Sequence, residues 1–142
     1  WLQQQTDLPI IIKGILHPAD AARVKEMGFA GLVVSNHGGR ALDGVPASIT
    51  ALPFIRHRVG EEFPILLDSG VRRGADIFKA IAYGANAVLI GRPQMYALAV
   101  AGALGVAHML RLLREELEVT MALTGCSTLQ EINTECTFTQ PQ

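Results

Sequence analysis

Cysteine is scarce. Cys126 and Cys136 are the only two in 142 residues, too few for a disulfide framework, and no C-x-x-C pair or Cys/His cluster offers a zinc ligand set. They read as reduced thiols of a cytosolic protein. Excess charge of one sign is also missing: 12 Lys and Arg stand against 13 Asp and Glu, for a net charge of −1. Nothing therefore draws the chain toward nucleic acid or an anionic membrane. No apolar run approaches the roughly 20 residues that span a bilayer, and no basic-then-apolar start marks a signal peptide. The expectation is a cytoplasmic chain with no transmembrane segment, with peripheral membrane association left open for a longer protein. An initiator Met is lacking too. The sequence opens in mid-pattern at Trp1-Leu2-Gln3 and reads as a piece of something longer, although its length suffices for one domain with a real core.

About half of the residues are apolar, 49%, and their arrangement is regular. Four short β-branched runs stand out: Pro9–Lys13, Gly31–Ser35, Pro64–Asp68 and Ala87–Gly91. Each is apolar throughout rather than alternating, the pattern of strands buried on both faces of a parallel sheet. Between them lie helical patterns at Pro18–Met27, Ile49–Val59 and Ala75–Tyr83, the first and third stopping at Gly28 and Gly84. Strand-helix repetition with right-handed crossovers predicts an α/β fold, and four such units make half of an eight-unit barrel. Beyond Gly91, two further helices are predicted over Gln94–Ala101 and Val106–Leu123, separated by Gly102 and Gly105. Leu110, Leu113, Leu117 and Met121 form one stripe on the second, suited to packing on the barrel. A turn at Gly125–Ser127, a short helix within Ser127–Asn133 and a frayed tail over residues 136–142 complete the reading.

In parallel α/β folds, ligands gather at the C-terminal ends of the strands. Here every run ends in pointed chemistry: Lys13, then Ser35-Asn36-His37, then Asp68-Ser69-Gly70, then Gly91-Arg92. In Ser35-Asn36-His37-Gly38-Gly39-Arg40, His37 is a candidate base at neutral pH, and Arg40 offers a planar fork for a carboxylate. From spacing alone, a capping histidine and a surface arginine in a glycine-rich turn serve equally well. The stretches Asp68–Gly74 and Gly91-Arg92-Pro93 lead from strand to helix, where exposed backbone N–H groups favour phosphate. Arg72 and Arg92 would neutralise it, and Asp68 could accept hydrogen bonds from sugar or ribityl hydroxyls. Solvated arginines in turns are the alternative. Lys13, ending an apolar strand, needs a partner if it is buried, or else snorkels into water. His17, His57 and His108 lack such company and read as cap or surface residues.

Taken in order, Ile12-Lys13-Gly14-Ile15, Ser35–Asp43 (SNHGGRALD), Leu67–Gly74 (LDSGVRRG) and Ile90-Gly91-Arg92-Pro93 resemble the FMN-dependent α-hydroxy-acid dehydrogenases and oxidases. This is the family of glycolate oxidase, lactate oxidase, L-lactate dehydrogenase and mandelate dehydrogenase. The resemblance runs from Trp1 to about Ile132 and includes Leu117–Cys126. Other FMN-using barrels, such as those like inosine-monophosphate dehydrogenase or the type 2 isoprenoid isomerase, share the phosphate loops but not the His-Gly-Gly-Arg loop.

The resemblance implies a TIM (β/α)8 barrel of which residues 1–142 are the C-terminal half, strands five to eight. It implies FMN as cofactor and oxidation of a small (S)-2-hydroxy acid to the 2-oxo acid, with His37 as catalytic base and Arg40 binding the substrate carboxylate. Lys13 would stand at the flavin N1/C2 edge with Ser35 near the ring. Asp68, Ser69, Gly70, Val71 and Arg72 would hold the ribityl-phosphate part, and Gly91 and Arg92 would close on the phosphate. Ser69 stands where plant-type glycolate oxidases often carry Gly. The family's first four strands, with their ring and substrate contacts, have no counterpart here. The expected partner is therefore the N-terminal half-barrel, or further copies of the chain in a homo-oligomer. The alternative is a catalytically incomplete half-barrel that keeps only an FMN or phosphate site.

Overall fold

The structure, a computed structural model, describes residues 1–138. Four βα units follow one another: β1 (Ile11–Ile15), α1 (Pro18–Glu26), β2 (Gly31–Val34), α2 (Ser48–Val59), β3 (Ile65–Leu67), α3 (Gly74–Ala82), β4 (Ala87–Val88) and α4 (Arg92–Thr124). The strands form one parallel sheet in the order β1-β2-β3-β4. α1, α2 and α3 each return the chain to start the neighbouring strand, as expected for strand-helix repetition.

The two faces of the sheet differ. Ile12, Leu32 and Ile65 are in register and belong to the core cluster with Ala21, Val24, Leu52, Ile55 and Val59 of α1 and α2. One residue on, Lys13, Val33, Leu66 and Ala87 form the next row; with a side-chain period of two, this row takes the opposite face. That face is open at its edge, where Ile11 is 45% exposed, and closed at its middle, where Val33 is 5% exposed.

The elements follow the sequence pattern, with differences at the edges. Only β2 is buried along its whole length; Leu66 of β3 is half-buried, and β1 and β4 are partly exposed because each has a neighbour on one side only. β1 also runs two residues further than the sequence suggests, so Lys13 sits inside the strand, just before an irregularity at Gly14. α3 approaches α4 so closely that a Cβ on Gly74 would strike the backbone nitrogen of Leu117. A glycine is needed here for contact, not for conformation.

The two predicted C-terminal helices are present as one span, α4, interrupted at Ala101 and Gly102, where Gly102 takes φ 56° and ψ −142°. Leu113, Leu117 and Met121 pack as expected, the last two against Phe78, but Leu110 is 52% exposed. α4 also corrects the expectation that no stretch suits a bilayer. By length and composition it is apolar enough to cross one, with a mean hydropathy of 1.6 over 18 residues. The run Pro93–Leu110 carries no Asp, Glu, Lys or Arg; scattered Gly, Gln and His residues hide it from inspection. Past α4, 3-10 turns occupy Leu129–Glu131 and Thr134–Cys136, so Cys136 is ordered rather than frayed. Both cysteines are free. Of the expected tail, residues 139–142 lie outside the described residues.

Candidate active site

The loop after β2 is the most constrained part of the site. Ser35 is buried at the strand end, and the chain then passes through a 3-10 turn over His37–Gly39. His37, Gly38 and Gly39 have φ of 58°, 70° and 72°. Three successive left-handed residues are costly, most of all at His37, which carries a Cβ. Side-chain oxygens hold each amide: His37 N–H donates to Ser35 Oγ at 3.1 Å, Gly38 N–H to Ser69 Oγ at 2.9 Å and Gly39 N–H to Asn36 Oδ1 at 3.1 Å. The His37 and Arg40 side chains are exposed into the space above.

Below them lies an ionic network. Lys13 Nζ is 2.7 Å from Asp68 Oδ2 and donates to Ser35 Oγ at 2.9 Å. Ser69 Oγ donates to the other Asp68 oxygen at 2.8 Å. The expected need of Lys13 for a partner is thus met by Asp68, with its ammonium half-exposed rather than sealed in. Burial pushes the Asp68 carboxyl up, but hydrogen bonds from Lys13, Ser35 and Ser69, with the charge of Lys13, outweigh it and hold the group below its ordinary value.

Lys13, His37, Arg40, Asp68, Ser69, Gly70, Val71, Arg72, Gly91 and Arg92 all line one open cavity of about 740 Å³ at the C-terminal end of the sheet. Ser35 does not line it and acts from beneath, through Lys13 and the His37 amide. Val71 borders the cavity while its side chain belongs to the core. His17, by contrast, caps α1 by accepting from Ala19 N–H, and His57 and His108 are exposed elsewhere.

The helix starts differ in what they offer an anion. At α3, the amides of Arg72 and Arg73 already donate to Asp76 Oδ2 at 3.0 Å each, and Gly74 N–H donates to Glu116 Oε2 at 2.8 Å. At α4, the cap residue Gly91 has no side chain to bond the first turn; Pro93 carries no N–H and Gln94 N–H donates to the Gly91 carbonyl at 3.1 Å, so the Arg92 amide and the positive dipole end are what this helix start offers. Arg92 reaches the Gly38 carbonyl weakly, at 3.4 Å.

Sequence reasoning missed Leu89, Met95 and Tyr96, which also line the cavity. Met95 and Tyr96 fall in the first turns of α4, where their apolar character reads as helix packing; only the exposure of Tyr96, 65%, reveals a wall facing open space. A flat ring and a polyanionic tail both find suitable surroundings here: apolar walls, a fixed ammonium on the sheet, the guanidinium groups of Arg40, Arg72 and Arg92, and a helix start with no side-chain cap. The volume lies within the range of cofactor sites, about 300–1,000 Å³.

The comparisons decide the family. Residues 1–139 match the FMN-dependent dehydrogenase family. This chain belongs to that family, whose cofactor is FMN. It is 61% identical over 132 residues to an L-lactate oxidase of Alicycliphilus denitrificans, covering 93% of this chain and 36% of the relative. It is 52% identical over 133 residues to glycolate oxidase 3 of Arabidopsis thaliana, covering 94% and 36%. The solved structure of mandelate oxidase with 3,3-difluoro-2-hydroxy-3-phenylpropionic acid superposes with a TM-score of 0.90 at 47% identity, covering 94% of this chain and 40% of that one. The chain is therefore a partial barrel, spanning little more than a third of the length of the curated relatives it matches.

Proposed function

We propose that this chain is the C-terminal half, strands five to eight, of a TIM-barrel enzyme that uses FMN to oxidise an (S)-2-hydroxy acid of lactate, glycolate or mandelate type to the 2-oxo acid. The observation that carries the reading is the shared cavity: His37, Arg40, Lys13, Arg72 and Arg92 arrive from four strand ends at one opening. Arg40 binds the substrate carboxylate through its planar fork. His37, fixed by its constrained backbone, takes a proton from the substrate as the alcohol becomes a carbonyl. Lys13, anchored by Asp68 and Ser35, presents a fixed positive charge to the polar edge of the ring system. Asp68, Ser69 and Gly70, with Val71 behind them, suit the ribityl chain, while Arg72, Gly91 and Arg92 suit the phosphate. FMN, when bound, accepts the two electrons.

A specific observation favours a second reading of the chain by itself. The sheet face that carries Lys13 is open at Ile11, β1 and β4 are open edges, and Val100 and Leu104 of α4 are more than 80% exposed. A half-barrel of this kind is incomplete alone and needs the N-terminal half or another copy. The test is to purify the chain alone and together with the preceding segment of the 61%-identical L-lactate oxidase, and to measure bound flavin by visible absorbance. Anaerobic addition of L-lactate, glycolate and (S)-mandelate should bleach the flavin of the completed barrel. A completed barrel that binds FMN but bleaches with none of the three contradicts the oxidase reading; a chain that bleaches alone contradicts the incomplete one.

A further inference from the structure

The three amides of the His37–Gly39 turn are not held in the same way. Ser35 and Asn36, which hold His37 and Gly39, belong to the loop itself. Ser69 alone comes from another strand end, 31 positions away, and bonds Gly38 N–H at 2.9 Å. Its hydroxyl proton goes to Asp68 Oδ1 at 2.8 Å, so one side chain joins the base loop to the carboxylate that anchors Lys13. Ser69 does this from a left-handed backbone, φ 75°, shared among the non-glycine residues described only with His37. A glycine would adopt that conformation without strain, so the serine retains a Cβ at an energetic cost in exchange for two hydrogen bonds.

We propose that Ser69 is a positioning residue for the base: it sets the height and orientation of the His37 loop relative to the Lys13–Asp68 pair, and touches neither proton nor electron itself. This rests on His37 being the base, as argued above. The route is short. Gly38 follows His37 directly, its N–H is fixed by Ser69 and its carbonyl is approached by Arg92, so releasing the amide lets the left-handed turn relax and carries the imidazole with it. A misplacement of about 1 Å at a reacting group can cost roughly a hundredfold in rate.

Two substitutions separate positioning from folding. Ser69→Gly removes the hydroxyl and the strain; Ser69→Ala removes the hydroxyl and keeps the strain. The glycine variant should therefore resist denaturant better than the alanine variant, yet both should behave alike at the site. Amide hydrogen exchange at Gly38, read in the completed barrel before any hydroxy acid is added, should accelerate about tenfold in both, the scale of one lost hydrogen bond. In the completed barrel, flavin reduction at saturating hydroxy acid should slow about tenfold or more in both, with KM for the acid within about twofold of the parent, because Arg40 is untouched. Unchanged Gly38 exchange overturns the proposal, and so does faster exchange with an unchanged reduction rate. A parent barrel that fails to bleach contradicts the reading of His37 instead, and the exchange measurement tells the two failures apart.

Discussion

The Lys13 ammonium lies 2.7 Å from Asp68 Oδ2, tying the first strand to the loop that follows the third. Both residues flank β2, Lys13 in register with Val33 and Asp68 N–H donating to the Val34 carbonyl at 3.1 Å, and the Ser35 hydroxyl just past its end accepts from Lys13 and from the His37 amide. The pair therefore spans the strand that leads to His37, and charge on one side of the site is coupled to loop geometry on the other.

That coupling has a pH signature. The folded Asp68 carboxyl sits below its ordinary value of 3.8, so the unfolded chain binds more protons as pH falls past that value. The stabilisation is complete above the ordinary carboxylate range and is lost as pH drops through the folded value. Urea unfolding of the chain at a series of acid pH values should show this loss, and Asp68→Asn should flatten it. An acid limb of the same steepness in both proteins would refute the network.

Arg56 holds the scaffold behind the site. Its buried guanidinium donates to the carbonyls of Gly84, Gly60, Glu61 and Phe63 and to Asn86 Oδ1, which also accepts from Ile65 N–H at the start of β3. Burial lowers its pKa, with Glu61 opposing, but every bond is to the charged form. Arg56→Met should destabilise the chain by about 3 kcal/mol or more, the scale of two hydrogen bonds to a charged group. A denaturation midpoint close to that of the parent would show that the carbonyls find other donors.

Much of the fold was readable because it depends on local pattern. Gly28, Gly84 and Gly102 end or interrupt helices where the sequence says, and the apolar runs are strands. The edges were not readable: Lys13 lies within β1 because a bulge at Gly14 prolongs the strand, and β4 is only two residues long because it has one neighbour. Of the site, the charged and glycine-rich ends were legible as types. Their connections were not, since the bonds of Ser69 to Gly38 and of Asp76 and Glu116 to the start of α3 depend on how the loops fold toward one another. Arg56 was invisible for the same reason: a buried arginine on a helix looks like a solvated one.

The role proposed for Arg40 is binding alone. In the completed barrel, Arg40→Met should raise KM for the hydroxy acid by roughly a hundredfold, as when about 3 kcal/mol of charge-assisted bonding is lost, with a much smaller effect on the rate at saturation. Steady-state kinetics with L-lactate, glycolate and (S)-mandelate would measure this. An unchanged KM for all three would remove Arg40 from the substrate.

The most direct test of the whole account is the rate at which an (S)-2-hydroxy acid bleaches bound FMN without oxygen, compared between the completed barrel and its His37→Gln variant. The account predicts full bleaching with one equivalent of 2-oxo acid in the parent, and in the variant a normally bound flavin reduced at least about a hundredfold more slowly. Equal rates of bleaching in the two proteins would contradict it.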